Sequence, residues 1–165
     1  MVNPEQLKIA AAAKHKENKA FLAKLKQKPP KRLDQTLEEI HDTVFEETDC
    51  LTCGNCCRTT GPLLLPKDIE TLASHLRLKP GQFIEKYLRV DEDGDYVFKA
   101  MPCPFLGTDN YCSVYNYRPK ACREYPHTNR KKFYQINHLT IHNLAICPAA
   151  FEVIERLKKS VNGFG

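Results

Sequence analysis

The sequence predicts a mainly helical α+β fold: a small single domain with a loop-rich cysteine core, a minor hairpin and a basic amino-terminal helix. Three observations lead there. Apolar residues recur at helical spacing in several separate stretches, one short run of strand formers follows a turn dipeptide, and the middle of the chain is dense in proline and cysteine. The 165 residues suit one core of ordinary size, and 42% hydrophobic with 27% charged residues is a globular composition.

Asn3, Pro4 and Glu5 read as a helix start, because asparagine caps free amides and proline fits the first helical position. Pro29 and Pro30 end that segment. Its apolar stripe of Leu7, Ala11, Phe21 and Leu25 is interrupted by Lys14 and Asn18, which predicts weak packing and a mobile or partner-dependent helix. Residues 1–32 hold nine basic residues against Glu5 and Glu17, while the whole chain carries +5, so the basicity is assigned to this arm. The expected organisation is a basic helical extension over 1–32 and a cysteine-cluster domain over 33–165.

Leu33, Leu37, Ile40 and Val44 recur every three or four residues among Asp34, Glu38, Glu39 and Asp42, the pattern of an amphipathic helix. Pro66, with Asp68 and Glu70, opens a helix that carries Ile69, Leu72, Ala73 and Leu76 on one face. Pro80 and Gly81 start a short helix facing Phe83, Ile84, Tyr87 and Leu88 inward. Asp93-Gly94 marks a turn, and Tyr96 to Lys99 is rich in strand formers, so a hairpin is expected across 88–100. Residues 102–130 read as irregular, and 133–146 fit strand or helix equally. Pro148 opens the last helix, whose stripe of Ala150, Ile154, Leu157 and Val161 stops at Gly163.

Nothing reads as an export signal or a membrane span, since apolar stretches such as Ile9 to Ala13 are soon broken by lysines. The expectation is a cytoplasmic chain, where thiols stay reduced and repeated cysteines serve as metal ligands or redox groups. There are eight: Cys50, Cys53, Cys56 and Cys57 in CLTCGNCC, then Cys103, Cys112, Cys122 and Cys147. A two-residue spacer lets a turn point two thiolates at one metal with amides facing the sulfurs, and three cysteines so spaced echo bacterial ferredoxins, which a distant Cys-Pro completes. Cys103-Pro104 and Cys147-Pro148 have that form. The neighbours Cys56 and Cys57 suit separate centres or one polynuclear centre, because adjacent sulfurs reach a single ion only under strain.

All eight cysteines are therefore candidate ligands of zinc or an iron-sulfur cluster, with the ferredoxin-like run favouring iron. The plain alternative for any one of the four later cysteines is a small buried hydrophobe. Arg58, Arg118 and Arg123 lie near cysteines, where guanidinium groups offset thiolate charge, or else are ordinary surface charges. His127, His138 and His142 are secondary nitrogen-ligand candidates, since eight thiolates already fill two tetrahedral sites.

CLTCGNCC, PCPFL over 102–106, CSVYNYRPKACREYP over 112–126 and the late Cys147-Pro148 occur in order. Together they resemble the YkgJ-like cysteine-cluster family, zinc- or iron-chelating proteins with a CxxCxxCC signature. The resemblance implies metal chelation by the cysteines, and a related group that methylates flagellin lysines extends it to protein-lysine methylation. No glycine-rich nucleotide loop follows a clear strand, and the CxxxCxxC spacing of radical enzymes that cleave S-adenosylmethionine is missing.

Three functional classes follow. The first is a module in which metal organises the loop-rich middle and folding is coupled to binding. The second is an iron-sulfur-dependent enzyme, redox or methyl-transferring, with an open metal position. The third is an RNA- or ribosome-associated module, or one with a protein partner, that engages through its lysine-rich amino-terminal helix. Thioredoxin-like exchange at Cys53 to Cys56 lacks its strand and helix frame, and zinc-finger reading of DNA lacks a second short knuckle.

Overall fold

The computed structural model describes residues 1–162; Gly163, the expected stop of the last helix, lies outside the described residues. In chain order the first elements are α1 (Pro4–Ala13), α2 (His15–Gln27), α3 (Leu33–Glu46), α4 (Asn55–Thr59), α5 (Pro66–His75) and α6 (Pro80–Tyr87). There follow β1 (Leu88–Val90), β2 (Tyr96–Phe98), α7 (Lys120–Glu124), α8 (Asn137–Leu144) and α9 (Pro148–Asn162), with single 3-10 turns at Cys50–Thr52, Tyr115–Tyr117 and Phe133–Ile136. The mainly helical α+β expectation holds. The chain falls into two compact units, one of residues 1–49 with the segment returning from 126, the other of residues 50–125.

The first unit packs α1, α2, α3, α8 and α9 around Leu7, Leu22, Leu37, Val44, Phe133, Ile154 and Leu157, all within about 1% of full burial. Asn3 caps α1 as expected, its side-chain oxygen accepting the Glu5 N–H at 2.9 Å. The weak packing expected of the amino-terminal stripe is not what the structure shows. Leu7, Ala11 and Leu25 are buried in the core, and the two polar interruptions meet partners rather than a wall of hydrocarbon. Lys14 is ion-paired with Glu155, and Asn18, itself 1% exposed, accepts a hydrogen bond from Lys158 Nζ at 2.8 Å. Lys158 also pairs with Glu17 and Glu155. A buried polar group costs little when its hydrogen bonds are met, so the stripe packs despite its pattern.

The ambiguous stretch 133–146 is helical. Phe133 anchors a 3-10 turn, α8 follows, and Asn137 Nδ2 donates to the Leu22 carbonyl at 3.0 Å, tying the pair to α2. Of the stripe predicted for α9, Ala150, Ile154 and Leu157 are fully buried and Val161 packs at the edge.

The second unit has a smaller core, nine buried apolar residues against fifteen in the first among the described residues. α5 opens at Pro66 with Asp68 Oδ2 accepting the Leu65 N–H at 2.8 Å. Oδ1 of the same carboxylate accepts the Lys120 N–H at 3.1 Å, so one buried side chain fastens both helix and loop. The hairpin is antiparallel, pairing Leu88 with Phe98 and Val90 with Tyr96, and Gly94 supplies its positive φ of 84°. Phe105, from the irregular segment, reaches into this core, with ring centroids 5.1 Å from Tyr87, 5.8 Å from Phe98 and 6.4 Å from Phe83.

Glu155 generates a prediction for the first unit. Burial pushes its carboxyl pKa up, but hydrogen bonds and charge from Lys14 and Lys158 outweigh that and leave it lowered from 4.5. A lowered folded-state pKa means the stabilisation is fully present above the unfolded pKa and is lost as pH falls through the folded value. Glu155→Gln should cost about 1–2 kcal/mol at neutral pH, discounted for partial exposure, and should flatten the acid limb of the stability curve in urea melts.

Candidate metal centre

The first four cysteines sit on one compact turn. Cys53 N–H donates to the Cys50 carbonyl at 3.1 Å and Gly54 N–H to the same oxygen at 2.9 Å, closing a 3-10 turn that runs into α4 with Cys56 and Cys57. Gly54 makes the reversal: its φ is 58°, and a Cβ there would stand 2.9 Å from Asn110 Oδ1 and 3.0 Å from Arg58 Nη1. Those two side chains lock the turn. Arg58 Nη1 donates to the Cys53 carbonyl at 2.6 Å, Asn110 Nδ2 donates to the Leu51 carbonyl at 2.6 Å, and Arg58 hydrogen-bonds to Asn110 itself.

The later cysteines of this unit are brought to the turn by backbone. Cys103 N–H donates to the Cys57 carbonyl at 2.8 Å, joining segments 46 residues apart. From there a tight loop closes through an antiparallel bridge between Leu106 and Cys112, with Ser113 N–H on the Phe105 carbonyl at 2.9 Å. Cys122 sits in α7, which Asp68 holds by the Lys120 amide.

Cys57, Cys103, Cys112 and Cys122 share one electrostatic neighbourhood, the Cys57 charge raising the other three thiols. The Cys57 thiol is lowered to about 7, first by a hydrogen bond with Cys56 and then, against burial, by Arg58 and Arg118. Burial pushes Cys103 up to about 11 and Cys122 up to about 12, and raises Cys112 as well. Backbone hydrogen bonding at Phe105 and Leu106 lowers the Cys103 thiol and that at Val114 the Cys112 thiol, each against the burial that raises it. Arg118 adds its charge beside Cys57, Cys112 and Cys122, and its guanidinium lies 3.6 Å over the Tyr115 ring.

Among the described residues no disulfide joins any of the eight cysteines, and no three His, Cys, Asp or Glu side chains are drawn together as a ready metal shell. What the second unit supplies is the chemistry such a shell uses: half-buried thiols, backbone hydrogen bonds that favour their thiolates, and a nearby guanidinium. These residues fit a thiolate-bound metal, because the burial that opposes bare thiolates is relieved by a cation between them.

Cys147 lies in the first unit, where its sulfur accepts the Ala150 N–H at 3.4 Å at the start of α9. His127, His138 and His142 also belong to that unit. Arg58 and Arg118 act on the thiols as the sequence suggests, whereas Arg123 donates to the Arg118 carbonyl. Asn110 escaped the sequence reading, and so did the hold of Asp68 on the Lys120 amide, since the sequence marks Asp68 only as a helix opener. Asn110 stands two residues before Cys112 at a φ of 65°, and asparagine's tolerance of the left-handed region is the one signal that marks it.

A family model matches residues 49–140, more than half of the chain: CxxCxxCC, described as a "putative zinc- or iron-chelating domain". No curated protein and no solved structure matches. No helix among the described residues is long and apolar enough to cross a membrane.

The turn makes its own prediction. Gly54→Ala should destabilise the second unit by about 1–2 kcal/mol through the left-handed φ and the Asn110 contact together. In a double-mutant cycle read by urea denaturation, Asn110→Ala should cost less in the Gly54→Ala background than alone, because it removes the steric part.

Proposed function

This chain belongs to the CxxCxxCC family, and on that premise we propose that its second unit holds a thiolate-ligated metal centre, zinc or iron-sulfur, around which the irregular segments fold. One observation carries the reading. Backbone hydrogen bonding favours the thiolates of Cys103 and Cys112, and Cys57 and Cys122 stand in the same electrostatic neighbourhood, an arrangement that serves thiolates more than neutral thiols. Cys57, Cys103, Cys112 and Cys122 form the inner set of this proposal, and Cys50, Cys53 and Cys56 on the adjoining turn supply further ligands. The hydrogen bond between Cys56 and Cys57 keeps both thiols together for the proposed centre. Cys147 belongs to the first unit and is not among the ligands proposed for this centre.

The small core of the second unit supports coupling of metal to folding, since nine buried apolar residues leave little to hold 76 residues together without it. The role follows from the centre: a metal-binding module whose bound metal shapes the surface around the cysteine turn.

Anaerobic purification with a metal count and an absorption spectrum tests this. Absorbance near ~400 nm with iron and sulfide identifies a cluster, and a colourless protein with about two zinc ions identifies thiolate zinc; a protein with neither overturns the proposal. Cys103→Ser and Cys122→Ser should each lose most of the metal, whereas Cys147→Ser, in the first unit, should leave the metal content unchanged. Chelation should open residues 50–125 to hydrogen exchange while α3 and α9 keep their protection.

A further inference from the structure

The sequence assigns the chain's basicity to the amino-terminal arm, but the fold builds a basic surface from two distant segments. Lys28, Lys31 and Arg32 lie at the link from α2 to α3, and Arg130, Lys131 and Lys132 precede the 3-10 turn at Phe133–Ile136. The Lys132 N–H donates to Asp34 Oδ1 at 2.9 Å, which sets the second run beside the first, 98 positions away in sequence. Each run is pinned by the apolar residue that follows it: Leu33 and Phe133 are both buried in the core of this unit.

All six side chains are exposed, and among the described residues none is ion-paired with a carboxylate. Lys14, Arg156 and Lys158 in the same unit are all paired, so their charge is spent internally. Asp34 accepts the Lys132 amide and Glu39 the Gln35 amide, and with Glu38 they keep their negative charge, so the six cations outnumber the three carboxylates at the start of α3. Arg32 and Lys132 both hold left-handed backbone, φ 65° and 52°, a conformation that glycine or asparagine adopts more readily than a long side chain. Two of the five non-glycine residues with left-handed backbone among the described residues thus lie on this surface.

We propose that this surface binds the sugar-phosphate backbone of a double-helical nucleic acid. The choice of partner rests on what the patch lacks. None of the large exposed hydrophobic residues, among them Ile9, Leu51, Leu63 and Val90, belongs to these two segments, so nothing there would insert into a lipid interface or anchor a protein partner. No exposed aromatic lies in them to stack on bases, which disfavours single strands. Clustered, unpaired Lys and Arg alone give affinity through phosphate contacts and counterion release, without sequence preference.

The test titrates the full, metal-loaded chain into fluorescent RNA and DNA duplexes of about twenty base pairs across a salt series. Binding to both is expected, with log K falling against log salt at a slope of roughly −4 to −5, since each neutralised phosphate contributes about −0.9. The pair Arg32→Gly and Lys132→Gly relaxes the backbone while removing two charges; melting temperature should hold or rise, affinity fall about tenfold or more, and the slope lose about 2. Lys31→Gln with Lys131→Gln gives a second reading without touching the strained positions. Lys16→Ala with Lys19→Ala, on α2 outside the surface, should leave the slope unchanged. No salt-dependent duplex binding, an equal loss in the α2 control, or equal binding to anionic vesicles or poly-glutamate would overturn the proposal.

Discussion

The Cys103 amide donates to the Cys57 carbonyl at 2.8 Å, and the irregular part of the second unit depends on that bond. It joins the CLTCGNCC turn to the loop that closes between Leu106 and Cys112. Phe105, two residues on, then drives its ring among Tyr87, Phe98 and Phe83, so the bond and the aromatic cluster together hold the start of that loop. A segment with so little ladder must satisfy its polar backbone through local ties, and most of these ties fall within three residues of a cysteine.

The two units solve one problem in different ways. The first buries a broad apolar surface and then makes Lys14, Asn18 and Lys158 compatible with it through Glu17 and Glu155. The second buries less and places thiols, amides and the Arg118 guanidinium where a metal ion would replace the missing hydrocarbon. Its thiols pull in opposite directions: Cys57 toward the thiolate, Cys103 and Cys122 toward the neutral form. Burial raises all three, and only at Cys57 do the Cys56 hydrogen bond and the Arg58 and Arg118 charges overcome it.

Basic residues serve two purposes that composition cannot separate. Lys158 completes an internal network, whereas Lys132 presents its charge to solvent from a backbone position that disfavours it. Counting charge by segment put the basicity in residues 1–32, because Arg130, Lys131 and Lys132 are lost in a stretch with no helical period. Their meeting with Lys31 and Arg32 is a property of the Asp34 hydrogen bond.

The sequence by itself determined the elements whose signals are local. Asn3 with Pro4, Pro66 with Asp68, Asp93 with Gly94 and the stripe from Leu33 to Val44 act within a turn or two of chain, and each formed where its pattern placed it. The cysteine spacing was legible for the same reason, since CLTCGNCC needs only one tight turn. Only the tertiary structure decided that Lys14 and Asn18 do not break the amino-terminal packing, that 133–146 is helical, and that Asn110 and Asp68 fasten the cysteine segments. Each of those outcomes depends on a partner between 52 and 141 positions away or on burial against distant helices, and periodicity along the chain carries no information about such partners.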